Sequence, residues 1–247
     1  MTLPAPTMDV NCPVCGAVNQ VDRLLSTHSF GSPDLDLRPA PDEGRLLEYM
    51  IESCQACKYS AGTLDAKPLK GTGTAMSSPE WVAIGKRKGL PKLAAAFKRA
   101  ELICAHSREP RGAVHMALRA VWVSDDRKSS LAPALRREAA ERIQQAMTAG
   151  KPYSSQVGGN EALITDLLRR AGDWKEASDW AAKGLAIVDY PRRFQVPSAT
   201  GLGGFDQKAW KSKAPSGRKS SAGHFQPRDF LGRTFRVQAM VSRSSWV

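Results

Sequence analysis

Two Cys-x-x-Cys pairs, NCPVCG at residues 11–16 and ESCQACKY at residues 52–59, restrict the fold of this chain more than any other feature. Two thiolates three positions apart can bind one ion when the backbone between them makes a tight turn with amide N–H groups directed at sulfur. Pro13 favours such a turn, and Gly16 gives the backbone freedom just after the second cysteine. We therefore predict a tetrahedral, structural zinc site with four ligands: Cys12, Cys15, Cys54 and Cys57.

The alternative is that these four cysteines are buried or reactive without a metal. The 38 residues between the pairs (16–53) exceed the usual spacing of about 15–20. Two Cys-x-x-Cys pairs in one chain nevertheless favour metal binding over cysteines without a metal. Four thiolates also favour a structural ion over a catalytic one, because they leave no open coordination position. A small zinc ribbon has little core of its own, so its fold should depend on the ion.

The cysteine content also indicates a cellular compartment. Five cysteines in 247 residues, four of them in two pairs, fit metal binding in a reducing environment better than a disulfide framework. The first ten residues have no basic start followed by an apolar run, and no stretch is apolar enough to span a membrane. We expect a cytoplasmic protein without a membrane partner.

The net charge of +12 is distributed unevenly along the chain. Residues 1–70 carry 6 basic and 9 acidic residues, a net −3; residues 71–190 carry 19 and 13, a net +6; residues 191–247 carry 11 and 2, a net +9. The positive charge therefore belongs mostly to the C-terminal tail.

Composition divides the chain into four segments. We predict a zinc-ribbon domain with a long insertion over residues 8–68, a linker over 69–78, a helical domain over 79–190 and a basic, disordered tail over 191–247. Within the ribbon, RLLEYMIES (45–53) should be the strand that delivers Cys54. A second interpretation of the tail stays open: its abrupt change in composition also fits translation in a shifted reading frame, which sequencing the gene would test.

Apolar residues recur at helical spacing through the helical domain. They predict helices at about 91–106, 111–126, 131–149, 160–171 and 174–188, preceded by a helix capped by Ser78 with Pro79 in its first turn, and Asn160 should cap the fourth of the five. Cys104 should be a small core residue, and His106 and His115 are more consistent with ordinary histidines than with a second site.

The stretch GDWKEASDWAAKGLAIVDYP (172–191) resembles the turn and second helix of a tetratricopeptide repeat. Trp174 takes the aromatic position after the turn, Ala177 is the small residue where two helices approach, and Gly184 and Leu185 stand where the repeat usually has Ala-Leu. The fold class we predict is therefore α with a small β part: a zinc ribbon followed by TPR-like helical hairpins.

The insertion between the cysteine pairs contains a Pro-bounded loop in which Asp34, Asp36 and Arg38 are crowded together. One interpretation is a surface loop that presents carboxylates to a partner or a second cation. The other is a turn in which the Asp and Ser side chains cap backbone groups and Arg38 pairs with an Asp.

A family resemblance rests on four motifs: CPVCG, FGSPDLDLRP, the second Cys pair followed by Tyr59, and ALRAVWVSDD. Over about residues 10–190 the chain resembles the uncharacterised bacterial zinc-ribbon and TPR-like proteins near the domain-of-unknown-function 2225 family. The resemblance implies the same four cysteine ligands and no activity. Lys58 departs from the usual Cys-Gly-Tyr ending, and the tail has no counterpart.

These features favour a non-enzymatic protein-interaction or adaptor module, with a protein partner bound by the helical hairpins. The sequence contains none of the motifs GxSxG, HExxH and GxxxxGK[ST]. The alternative is a nucleic-acid-binding zinc ribbon that uses the basic helical domain and tail. Against it, the ribbon segment is acidic, whereas a surface that grips phosphates should be basic.

Overall fold

The computed structural model describes residues 3–26, 34–38 and 41–188 and shows short strands followed by helices. The predicted fold class, α with a small β part, is confirmed. The predictions for the tail (191–247) fall outside the described residues. None of the helices in the described ranges has both the length and the apolar composition needed to cross a lipid bilayer.

Among the residues that the structure describes, the strands form three antiparallel two-stranded ribbons. They pair β1 (Leu3–Pro4) with β4 (Leu24–Ser26), β2 (Met8–Asn11) with β3 (Val18–Val21), and β5 (Glu52–Ser53) with β6 (Ser60–Ala61). In the middle ribbon Val10 lies opposite Asn19, and both are buried on the face that Val21 shares. The alternation of buried and exposed residues in β3 is that of a strand with one face on a core.

The strand predicted over residues 45–53 is wrong except at its end. A 3₁₀ helix covers Pro41–Met50, and only Glu52 and Ser53 are strand. The side chains of Leu46 and Leu47 are both buried. Two adjacent residues of a strand point to opposite faces, so a strand could not bury both against one core.

Seven α-helices follow in the described part of the chain. Their bounds are α1 Thr72–Met76, α2 Pro79–Lys86, α3 Lys92–His106, α4 Pro110–Asp126, α5 Ala132–Thr148, α6 Gly159–Ala171 and α7 Trp174–Ile187. The five long helices, α3 to α7, match the predicted ones to within one or two residues. Each packs against the next along the chain, so the region is a series of helical hairpins.

The core of the helical region is built from small and medium apolar residues. Phe97 of α3, Val114 and Leu118 of α4 and Ile143 of α5 are completely or almost completely buried in one cluster. Alanines at neighbouring positions, such as Ala120, let the helices approach closely. Leu47 and Ile51, which precede the second cysteine pair, belong to the same cluster, so the N-terminal region is part of the helical core.

The segment interpreted as a linker contains helix α1. Gly71 lies so close to the end of α3 that a Cβ there would be 2.4 Å from the carbonyl carbon of His106. Its N–H donates to Ser107 Oγ at 3.1 Å, and Ala75 is completely buried. This segment is therefore packed against α3.

Two predicted helix caps have different outcomes. Ser78 accepts a hydrogen bond from the N–H of Trp81, and Pro79 is in the first turn, as expected. Asn160 is not the cap of α6. Gly158, with φ of 75°, takes that position, and the Asn160 side chain instead donates to and accepts from the backbone of Ser154 at 2.9 Å each.

Of the two interpretations of the loop at 34–38, the one in which it presents its carboxylates on the surface is wrong for Asp36, which has no exposed area. Its Oδ2 accepts hydrogen bonds from Trp122 Nε1 at 3.1 Å and from Arg170 Nη1 at 2.9 Å. Its Oδ1 accepts the N–H of Arg38, whose guanidinium pairs with Asp126. The second interpretation, a capping turn, is the better one, and Asp36 also attaches the loop to α4 and α6.

The environment of Asp36 opposes its charge in part. Burial raises the pKa of Asp36, and the neighbouring Arg170 guanidinium counteracts that shift. Arg170 has a second partner, Asp125, whose other oxygen binds Arg136. A raised pKa in the folded state favours the protonated form there, so this carboxyl gives the folded state more stability at a pH below its pKa than above it.

We predict that Asp36→Ala lowers the free energy of unfolding by about 3 kcal/mol, because Trp122 N–H loses its acceptor and Arg170 loses a buried partner. Asp36→Asn should cost only about 1 kcal/mol, since an amide oxygen still accepts from Trp122 and burial disfavours the lost charge. Urea unfolding at neutral pH measures both. As a control, Glu48→Ala removes the exposed ion pair with Arg127 and should change stability by less than about 0.5 kcal/mol. Equal losses for Ala and Asn would contradict this account.

Candidate metal centre

The first cysteine pair lies in the turn between β2 and β3, here called the first knuckle (residues 12–16). The N–H of Cys12 donates to Ala17 O at 2.8 Å, and the N–H of Gly16 donates to Cys12 O at 2.9 Å. Gly16 has a φ of 76°, a conformation that glycine adopts without the steric penalty of a Cβ. The turn therefore has the form predicted from CPVCG.

The second knuckle (residues 54–58) repeats this turn between β5 and β6. The N–H of Cys54 donates to Tyr59 O at 2.8 Å, and the N–H of Lys58 donates to Cys54 O at 3.0 Å. Lys58 occupies the position of Gly16 and has a φ of 65°. A side chain in this left-handed region costs about 1–2 kcal/mol, so Lys58 strains the turn where Gly16 does not. Lys58 Nζ also donates to Gln55 O at 2.6 Å.

The two knuckles bring the four predicted cysteines together. All four sulfur atoms lie within 4.8 Å of one another. Cys12 Sγ is 3.7 Å from Cys57 Sγ, and Cys15 Sγ is 3.6 Å from Cys54 Sγ. A tetrahedral ion with metal–sulfur bonds of about 2.3 Å would separate its sulfurs by about 3.8 Å, whereas a disulfide has about 2.05 Å. The cluster can therefore hold a metal ion.

Three of the four thiols, Cys12, Cys54 and Cys57, have shifted pKa values. Burial raises the pKa of Cys12 and raises that of Cys57 to about 12. Burial acts on Cys54 too, but hydrogen bonds from the N–H groups of Cys57 and Ala56 and from the Cys15 and Cys57 side chains together outweigh it and lower the pKa of Cys54 to about 6. At neutral pH the protein alone thus favours a partly protonated cluster. A bound cation would supply the charge that lets all four sulfurs ionise.

Asn19 connects the two knuckles and was missed by the sequence analysis. Its side chain is buried, with Nδ2 3.7 Å from Cys54 Sγ and 2.8 Å from Ala17 O. Its Oδ1 accepts the N–H of Gln55 at 2.8 Å. One amide therefore ties the strand after the first knuckle to the turn of the second and directs a donor at a sulfur. The alternation in VNQV places Asn19 inward, which is the one sequence feature that marks it.

A second contact holds the β2–β3 ribbon against the β5–β6 ribbon, the two that carry the knuckles. Arg23, just after β3, donates to both oxygens of Glu52 at 2.7 and 3.2 Å and to Asp65 at 2.8 Å. Glu52 Oε2 in turn accepts the N–H of Leu64 at 2.7 Å. Because Glu52 precedes Cys54 by two residues, this bidentate pair positions the second knuckle.

Burial around the cluster is one-sided. Cys12 and Cys54 are buried at 2% and 0% exposure, whereas Cys15 is exposed. The buried side joins a small apolar core that includes Tyr59 and Leu64 and, from α3, Leu102 and Ile103. The sulfur cluster is therefore part of the packing between the N-terminal ribbons and the helices.

The other residues considered in the sequence lie elsewhere. Cys104 is partly buried on α3, and burial raises its pKa to about 11, so it behaves as a core thiol. His115 is near Tyr153, and burial lowers its pKa to about 4. In the described part of the chain, the four cysteines are the one group of metal-ligating side chains close enough to share an ion.

No family model matches the chain, and no curated protein or solved structure shows significant similarity to it. The site must be interpreted from its own geometry.

We predict that Asn19→Ala weakens metal binding by about 10–100-fold, the usual effect of removing a group that orients metal ligands. Competition with a chromophoric chelator at constant pH measures this. Asn11→Ala is the matched control, because Asn11 is an exposed asparagine on the neighbouring strand and should leave the affinity unchanged. Equal affinities for the Asn19 and Asn11 variants would show that the amide has no role at the metal.

Proposed function

We propose that this chain is a non-enzymatic protein-interaction module in which a structural zinc ion fixes the N-terminal ribbons against a set of TPR-like helical hairpins. The observation that carries the proposal is the convergence of four cysteine sulfurs within 4.8 Å of one another. We also propose, on the sequence motifs alone, that the chain is related to the uncharacterised bacterial zinc-ribbon and TPR-like proteins that it resembles.

Zinc is the ion we assign because four thiolates in a tetrahedral arrangement are the usual donors of structural zinc. With four protein ligands the ion has no position for water or a substrate, so its contribution is to the fold. Two of the ligands are buried beside Leu102 and Ile103 of α3, so an ion at this place would link ribbons and helices.

The helices supply the surface for a partner. Consecutive antiparallel helices stacked in chain order form extended surfaces in repeat proteins. Ala177 is buried at 4% exposure, and a Cβ on Gly184 would lie 3.0 Å from Glu161 Cβ, so α6 and α7 approach closely where the repeat resemblance expects small residues. Trp174, in contrast, is 65% exposed, so most of this side chain lies outside the contact between α6 and α7.

We predict one zinc ion per chain, removed by a strong chelator with loss of the N-terminal core, because the ribbons have little other apolar material. Native mass spectrometry gives the stoichiometry, and the fluorescence of Tyr59 and the tryptophans follows the unfolding. Cys54→Ser should abolish tight binding, whereas Cys104→Ser, the fifth cysteine, should keep it. A Cys104 variant that loses zinc, or a wild type that holds none when purified under reduction with zinc present, would refute the proposal.

Nucleic-acid binding is the second candidate, favoured by the net charge of +12. In the described region many cations are already paired with carboxylates. Examples are Arg23 with Glu52, Arg137 with Asp173 and Arg142 with Glu101. Paired cations neutralise few phosphates, which leaves the tail as the main source of attraction.

We predict that DNA and RNA binding by the full-length chain, measured over a salt series, falls steeply with salt and is lost in a chain ended at residue 190. The reason is that the last 57 residues carry 11 basic and 2 acidic residues. If the shortened chain keeps the same affinity and salt slope, the helical domain itself contacts phosphates and nucleic-acid binding becomes the better function.

A further inference from the structure

A cavity of about 350 Å³ lies where the end of α3, the start of α4 and the end of α5 meet. Of the described residues that line it, three are cations, Arg108, Arg142 and Lys151, and none is a carboxylate. The rest of the lining is Gln145, Pro110 and three alanines. This volume is at the lower end of the range for small-ligand pockets, about 300–1,000 Å³. The cavity therefore has the size and the charge to hold a small anionic group.

The three cations differ in how they are held. Arg142 Nε donates to Glu101 Oε1 at 2.6 Å, and its Nη1 donates to Gln145 Oε1 at 2.8 Å. Arg108 and Lys151, in contrast, form no ion pair with a carboxylate in the described part of the chain. Lys151 Nζ donates to Arg108 O at 3.4 Å, so the two residues lie side by side at the edge of the cavity. Adjacent cations without a counterion repel each other, and an anion in the cavity would remove that repulsion.

We propose that this cavity binds the phosphate group of a phosphorylated side chain on a protein partner, with Arg108 and Lys151 as the anion-binding residues. This inference rests on the proposed interaction function and specifies the chemistry of the partner.

Three cations favour a phosphate over a carboxylate. A phosphorylated side chain carries a charge of about −1.5 to −2 at pH 7 and three acceptor oxygens. A carboxylate has a single charge and two oxygens, so it would leave part of the cationic lining unpaired. Helix α4 adds to the attraction. It begins at Pro110 in the cavity wall, no described side chain caps it, and the N-terminal end of a helix dipole is positive.

The surface beside the cavity favours a peptide as the carrier of the phosphate. A second, more open depression runs along α5 and shares Gln145 and Ala149 with the cavity. Its other lining residues are Gln144, Thr148 and Glu141. Amide and hydroxyl groups can bond the backbone of a peptide next to the phosphorylated residue. Glu141, in contrast, would repel the next phosphate of a nucleic acid, so a peptide with one phosphate fits this surface better.

Arg108 occupies a backbone position that glycine takes after two of the other helices. Helices α3 to α6 each end with the same pair of backbone hydrogen bonds around one residue in the left-handed region. That residue is Gly150 after α5 and Gly172 after α6, but it is Arg108, with a φ of 59°, after α3. Glycine adopts this conformation without the steric penalty of a Cβ. Arg108→Gly therefore removes the guanidinium and relieves the backbone at the same time.

Lys128 is a matched control within the same chain. It follows α4 as Arg108 follows α3, with a φ of 49° and the same pair of hydrogen bonds. Both residues also place a cation after a helix C-terminus, where the helix dipole favours positive charge. They differ in that Arg108 lines the cavity, whereas the 17-residue helix α4, about 25 Å long, separates Lys128 from it.

The test uses the metal-loaded full-length chain and three fluorescein-labelled octapeptides, followed by fluorescence anisotropy up to about 1 mM protein. The peptides contain Ala and Gln and differ at two central positions, which are phosphoserine-Ala, Ser-Ala or Glu-Glu. The Glu-Glu peptide matches the charge of phosphoserine and so measures nonspecific attraction to the basic tail. Unlabelled glycerol phosphate and an RNA octamer, added as competitors, represent the other sources of a phosphate.

We expect the phosphoserine peptide to bind at least about tenfold more tightly than the other two peptides. Arg108→Gly and Lys151→Gln should each weaken that binding by at least about tenfold, whereas Lys128→Gly should keep it. Glycerol phosphate should displace the labelled peptide only at a concentration at least about tenfold above that of the unlabelled phosphoserine peptide, because it makes no contact with the depression along α5.

Three binding results would overturn the inference. The first is equal binding of the phosphoserine and Glu-Glu peptides, which would assign the attraction to charge alone. The second is wild-type binding by Arg108→Gly, or an equal loss in Lys128→Gly, since either would place the phosphate outside the cavity. The third is equally strong displacement by glycerol phosphate, or Arg108-dependent displacement by the RNA octamer, which would assign the cavity to a small phosphate ester or to a nucleic acid.

Thermal stability separates a binding role of Arg108 from a structural one. The melting temperatures of Arg108→Gly and Lys128→Gly should both equal or exceed that of the wild type, because glycine relieves the left-handed backbone. A melting temperature for Arg108→Gly several degrees below that of Lys128→Gly would overturn the inference. The zinc experiment with Cys54→Ser does not involve the cavity, so the proposed function and this phosphate site can fail separately.

Discussion

The packing of the cysteine knuckles against α3 is the contact on which the rest of the structure depends. Leu102 and Ile103 of α3 share a core with Cys12 and Cys54, while Phe97 of the same helix lies at the centre of the helical core. One helix therefore belongs to both cores. Whatever holds the knuckles in place also orders the end of α3, and through it the turn into α4.

Polar contacts add two further connections between the N-terminal region and the helices. The Asp36 carboxylate accepts hydrogen bonds from Trp122 and Arg170. Gly71, the residue before α1, lies against the backbone of His106. Both are buried, so neither could be exchanged for water without loss. The N-terminal region and the helices are thus joined by an apolar core, a buried carboxylate and a close backbone approach, and we infer that they unfold together.

The helices and the cysteine cluster were predictable because their determinants are local. Helical spacing of apolar residues is visible within each segment, and Pro110 and Gly172 mark helix ends in the sequence itself. Each Cys-x-x-Cys pair forms its own turn, so it can be recognised from its own residues whatever the distance to the other pair. The long insertion between the pairs therefore did not hide the cysteine cluster. The 3₁₀ helix at 41–50 was not predictable in the same way, because Leu47 packs in a core supplied by distant residues.

The contacts that sequence analysis missed join residues far apart along the chain. Asp36 and Arg170 are 134 positions apart, and Asn19 and Cys54 are 35 apart, so no local pattern marks either pair.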